Sequence, residues 1–141
     1  MNRAHSEAFT LLELMLVVVI LGTLIGIAAA RYANTLRRAN EGALVGDLGA
    51  IRSALHIYYG DSEGVYPRDL LVLTASASYL GSVPAASIPP YHPASNAVLD
   101  GASADDSGGW LYDNAPGSAS FGSVYVNCTH TDTKSRFWTT Y

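Results

Sequence analysis

The sequence predicts an α+β fold in which one long amino-terminal helix packs on a small antiparallel β-sheet. Three observations point to it. Near the start of the chain, from Ala8, stands an apolar run, "AFTLLELMLVVVILGTLIGIAAARYA". A stripe at helical spacing follows with no intervening proline: Leu44, Leu48, Ile51, Leu55 and Tyr58. Near the end, two β-prone stretches, Trp110 to Tyr112 and Val124 to Cys128, flank the turn-forming "DNAPGSASFG".

The amino-terminal run is long enough to cross a bilayer. Leu14 to Ala30 carries no charge and is about the ~17 residues at the lower limit for a spanning helix. Extended back to Phe9 it covers about 22 residues, or roughly 33 Å. Its one carboxylate, Glu13, would cost about 2.5 to 3.5 kcal/mol at the centre of the hydrocarbon. Either that residue has work to do, or it rests at the headgroup level.

The helix then continues from Phe9 to Tyr59, roughly 75 Å, with Gly60 as the expected stop. Gly42, Gly46 and Gly49 each weaken it by about 1 kcal/mol relative to Ala. Pro67 predicts the start of a short helix through Leu70, Leu71 and Leu73. Ser82 to Gly109, rich in Pro, Gly, Ser and Asp, predicts an irregular connection. Phe137 to Thr140 is read as a third strand.

With 141 residues there is room for one modest domain plus an anchor. Hydrophobic residues are 49% and charged ones 14% of the chain, the apolar excess lying in the first thirty positions. A net charge of −4 without a basic stripe excludes a nucleic-acid-binding body. The single Cys128 excludes an intrachain disulfide.

Catalytic signals are absent from the sequence. His5, His56, His92 and His130 occur without HExxH, CxxC or a serine elbow, so the chain reads as no enzyme. Cys128 and His130 would share one face of a strand, a half-site for a metal lacking a second pair of ligands. Asp100, Asp105, Asp106 and Asp113 crowd the loops around Trp110 without the spacing of an EF-hand. Asn127-Cys128-Thr129 fits the bare glycosylation sequon. The aromatic residues, Tyr32, Tyr58, Tyr59, Trp110, Tyr112 and Tyr125 among them, are read as core and interface packing.

Three readings of the amino terminus compete: an export signal cut after Ala30, a plain membrane anchor, and a processed segment. The third accounts for most residues. "AFTLLELMLVVVILGTLIGIAAA" resembles the amino-terminal signature of type IV pilins and of the pseudopilins of type II secretion systems. The resemblance implies a leader at 1–8 removed between Ala8 and Phe9 by a prepilin peptidase, with methylation of the new Phe9 amine. Glu13 then stands at the fifth mature position, where it would meet the Phe9 amine of a neighbouring subunit. Ala8 replaces the usual Gly before the cut, and Ala30 stands where the family often has Pro.

The resemblance further implies a transmembrane and filament-core helix at 9–30 and a periplasmic pilin-like domain at 31–141. That domain divides into helix continuation at 31–59, loops at 60–109 and sheet at 110–141. The implied role is a subunit held in the bacterial inner membrane and assembled into a periplasmic or extracellular helical filament. A type II secretion pseudopilin or a small type IV pilin both fit, the short domain and "GGWLYD" hairpin resembling a major pseudopilin. Implied partners are further copies of the chain, prepilin peptidase, an inner-membrane assembly platform and its ATPase. No cofactor is implied, although some pseudopilins bind calcium, for which Asp100, Asp105, Asp106 and Asp113 would be the candidates. Arg31, Arg37 and Arg38 beyond the span run against a simple positive-inside count. A secreted or anchored binding module, using the apolar run only for export, is the alternative from another class.

Overall fold

The computed structural model describes residues 9–141. Helix α1 runs over Leu11–Asp61. The chain forms two compact units, residues 1–36 and 37–141, and α1 contributes to both.

In the second unit the expected stripe is the core. Leu44, Leu48, Ile51 and Leu55 are buried, Ala54 joins them, and Tyr58 packs half-buried against the same cluster. Steps of three and four put these side chains on one helical face, and burial of each large one removes about 1.5 to 3 kcal/mol of unfavourable hydration.

Gly60 does not stop the helix. The turn comes after Asp61, where Ser62 N–H donates to the Tyr58 carbonyl at 2.8 Å and Gly64 N–H to the Tyr59 carbonyl at 2.9 Å. The left-handed conformation this requires falls on Glu63 (φ 55°) and Gly64 (φ 85°).

The short helix also begins later than Pro67. It is a 3₁₀ helix over Leu70–Ala77, capped by the Asp69 carboxylate, which accepts from Leu71 N–H at 2.8 Å. Leu70 and Leu73 insert into the core. Pro67 is buried instead as an anchor, its carbonyl accepting from the Tyr112 hydroxyl at 2.5 Å.

The stretch expected to be irregular holds three strands. β1 (Ala86–Ile88) and β2 (His92–Ser95) pair antiparallel around the turn at Pro89 and Pro90, and β3 (Val98–Asp100) joins a second sheet. Strands this short carry no readable alternation. Pro84 precedes β1, Pro89 and Pro90 fall in the turn, and Pro93 lies in a two-stranded sheet where a strand has one side free of neighbours.

The second sheet has the order β3-β4-β5, with β4 at Trp110–Tyr112 and β5 at Val124–Val126. β4 and β5 form the expected antiparallel pair, whereas β3 lies parallel to β4, so this sheet is mixed rather than purely antiparallel. A parallel neighbour normally needs a crossover of a dozen or more residues. Here residues 101–109 suffice because Gly108 and Gly109 take positive φ, 83° and 77°. A Cβ on Gly109 would stand 2.4 Å from the Ala97 carbonyl oxygen, the same oxygen that accepts from Trp110 N–H at 2.8 Å.

Phe137 to Thr140 is not a strand. Only Thr131 and Phe137 make a single bridge, and Trp138–Thr140 turns as a 3₁₀ helix that buries the Trp138 ring. The Thr140 hydroxyl donates to the Phe137 carbonyl at 2.6 Å, a local bond that competes with a ladder. Cys128 lies just past the end of β5, fully buried.

Candidate functional site

The amino-terminal segment is defined by what leaves it unsatisfied. From Phe9 to Ile27 its large apolar side chains are exposed, Phe9 at 72% and Leu11 at 77%. The helix is long and apolar enough to cross a membrane. Ala8, one side of the expected cleavage point, lies outside the described residues.

Glu13 has a local partner that sequence reasoning passed over. Its Oε2 accepts from the Thr10 N–H at 3.0 Å and from the Thr10 hydroxyl at 2.8 Å, while Glu13 N–H donates to Thr10 Oγ1 at 3.3 Å. Thr10 precedes the first helical residue, so this is a reciprocal capping box. The T-x-x-E spacing of that box is legible in the sequence.

A second cluster forms where β2, the loop before β4 and the segment after β5 meet. His92, Asp106, Cys128 and His130 each direct one ligand-type atom to a common point, all within 4.8 Å of one another. His92 Nε2 is 3.2 Å and His130 Nδ1 3.3 Å from Asp106 Oδ1, and Cys128 Sγ is 3.5 Å from His130 Nδ1. The Thr129 N–H also donates to Asp106 Oδ1 at 2.7 Å, which more than any other contact holds that carboxyl below its usual range. Burial pushes the Cys128 thiol up.

The half-site of Cys128 and His130 therefore gains the second pair that the sequence did not display. Nothing in the spacing of His92 and Asp106 announces them, because strand pairing brings them in. Asn127 is the organiser: fully buried, its amide donates to Asp105 Oδ1 (2.7 Å), Ser107 Oγ (3.0 Å) and the Gly108 carbonyl (3.2 Å), and its Oδ1 accepts from Asp105 N–H at 3.0 Å. So engaged, the sequon asparagine offers no free amide.

The four aspartates do not gather. Among the described residues the one converging group of His, Cys, Asp and Glu contains Asp106 alone of the four. Asp105 is held by Asn127 and Ser107. Asp113 accepts from the Ser118 and Ser120 hydroxyls at 2.5 and 2.7 Å, and these bonds lower its pKa. Asp100, at the end of β3, has its pKa raised by burial and by the charge of Asp69.

Residues 3–29 match the family model for the prokaryotic N-terminal methylation motif. The chain is 33% identical over 87 residues to the fimbrial protein EcpC of Eikenella corrodens, covering 59% of this chain and 56% of that protein. It is 35% identical over 61 residues to PilA5, the type IV narrow pilus major component of Thermus thermophilus, covering 43% of this chain and 53% of that protein. The chain thus spans about half the length of the relatives it matches. No solved structure matches it significantly. With the motif on an apolar helix, a small α+β domain and relatives of this kind, the chain is similar to the type IV pilin family.

Proposed function

We propose that the chain is a structural, non-enzymatic subunit of a type IV pilus-like filament. It is cut by a prepilin peptidase between Ala8 and Phe9, held in the inner membrane by the helix, and then drawn into a periplasmic or extracellular filament. The observation that carries this reading is the uniformly exposed apolar surface from Phe9 to Ile27 within a methylation motif. Such a surface calls for lipid or a protein partner to cover it, and other copies of the chain offer the same apolar face.

Within the filament the Phe9 amine of one subunit meets Glu13 of another. Moving both ions out of water offsets much of their attraction, so the pair supplies register more than net stability. The fimbrial and pilus names of the relatives favour a pilus subunit over a secretion pseudopilin. Intact-mass analysis of filaments sheared from the native host tests the proposal. A subunit starting at methylated Phe9 is expected; one starting at Met1 or Arg31 overturns it, the latter in favour of an exported or anchored binding module.

A further inference from the structure

We propose that His92, Asp106, Cys128 and His130 form a binding site for one zinc-class divalent metal ion. The ligand set is two imidazoles, a thiol and a carboxylate, drawn from three separate segments of the chain.

Distances carry the argument first. Zinc bonds of about 2.0–2.1 Å to nitrogen or oxygen and 2.3 Å to sulfur place neighbouring ligand atoms of a tetrahedron about 3.3–3.6 Å apart. The three contacts here, 3.2 and 3.3 Å between nitrogen and oxygen and 3.5 Å between sulfur and nitrogen, are tetrahedron edges of that size. Without an ion, two imidazoles and the Thr129 N–H all address a single carboxylate oxygen while the thiol closes the fourth side. A central cation gives that convergence a common target.

The surroundings hold the ligands in place. Thr129 N–H fixes the Asp106 carboxylate, and the His130 ring stacks on Tyr91 with centroids 3.9 Å apart and planes 13° from parallel. Gly108, at positive φ, lets the loop pass close to His92: a Cβ there would lie 3.1 Å from the His92 Cβ. Partners that orient ligands in this way tune metal affinity. Asp106 and His130 are partly exposed, which leaves an entry path, while the Cys128 thiol is buried. Thiol and imidazole donors select against calcium and magnesium, which take oxygen ligands. In a domain with one cysteine the ion would staple β2, the 105–108 loop and the segment after β5, as a disulfide cannot.

The test uses the full chain in detergent, reduced, chelator-treated and purified through a tag free of histidine, titrated with cobalt(II) alone. Equimolar binding is expected, with a thiolate-to-cobalt charge-transfer band and the intense visible absorption of a tetrahedral ion, both erased by added zinc(II). Cys128→Ser should remove the charge-transfer band, and His92→Ala and Asp106→Asn should each weaken binding at least about tenfold, with circular dichroism confirming the fold of each variant. Absence of the charge-transfer band from the wild-type chain at equimolar cobalt overturns the proposal, and that result does not depend on any variant folding. So does an affinity unchanged in both His92→Ala and Asp106→Asn, which would assign the ion to other ligands.

Discussion

Thr10 and Glu13 cap the helix by holding each other: the carboxylate accepts from the N–H and hydroxyl of Thr10, and the Glu13 N–H returns a bond to that hydroxyl. The charge at the head of an apolar helix is therefore partnered before any neighbour arrives. Thr10→Ala should cost about 1 kcal/mol of helix stability at that end, and Thr10→Ser should restore most of it. Hydrogen exchange of the amides from Leu11 to Leu14 in detergent is the measurement. Faster exchange in the alanine variant alone is expected; equal rates in all three chains would show that the cap does not hold the first turn.

Ile51 sits at the centre of the buried stripe with no exposed surface. Ile51→Ala should destabilise the second unit by about 2 to 5 kcal/mol through lost burial and the cavity left behind. Urea unfolding reads this as a lower midpoint at similar slope. A change below about 1 kcal/mol would mean the site collapses freely and the stripe is not a packed core.

Residues 31–141 should fold without the apolar segment, because among the described residues every buried core side chain comes from the unit that begins at residue 37. The truncated protein should be soluble and monomeric with dispersed amide and methyl resonances. Collapsed NMR dispersion would show that the domain needs the rest of the helix.

Asp113 should make the domain sensitive to acid. Hydrogen bonds from the Ser118 and Ser120 hydroxyls lower its pKa in the folded chain, so the unfolded chain binds its proton first. Its stabilising contribution is complete above the ordinary carboxylate pKa and is lost as the pH falls through the depressed folded value. Asp113→Asn should lower the melting temperature at neutral pH and flatten its fall between about pH 5 and pH 2. A parallel fall in both proteins would contradict this assignment.

Long-range periodicity and short-range motif were legible; short strands were not. Leu44, Leu48, Ile51 and Leu55 announce one helical face because each repeat restates the same period. β1, β2 and β3 have three or four residues each, too few to alternate, and the connection that sets β3 beside β4 runs through the positive-φ Gly108 and Gly109. Phe137 to Thr140 has β-prone composition, yet the burial of Trp138 and the local Thr140 bond turn it into a helix. The same holds for the histidine cluster: Cys128 and His130 are neighbours in sequence, but His92 and Asp106 reach them only through the fold. At the amino terminus the motif picks out Phe9 and Glu13, and the T-x-x-E spacing of the cap lies in the same stretch, Thr10 to Glu13.

The most direct test of the filament reading is the ratio of filamentous to membrane-held subunit in Glu13→Leu, with cleavage before Phe9 verified by mass. Removing the charge should leave membrane insertion intact, since it lowers the cost of entering hydrocarbon. Assembly should nevertheless fail or slow sharply, because an incoming Phe9 amine would be buried without its counter-charge, a loss of roughly 3 to 5 kcal/mol. Glu13→Gln, keeping an acceptor for Thr10 and the amine, should fall between. Wild-type filament yield from correctly cleaved Glu13→Leu would contradict the account and leave Glu13 as a helix cap alone.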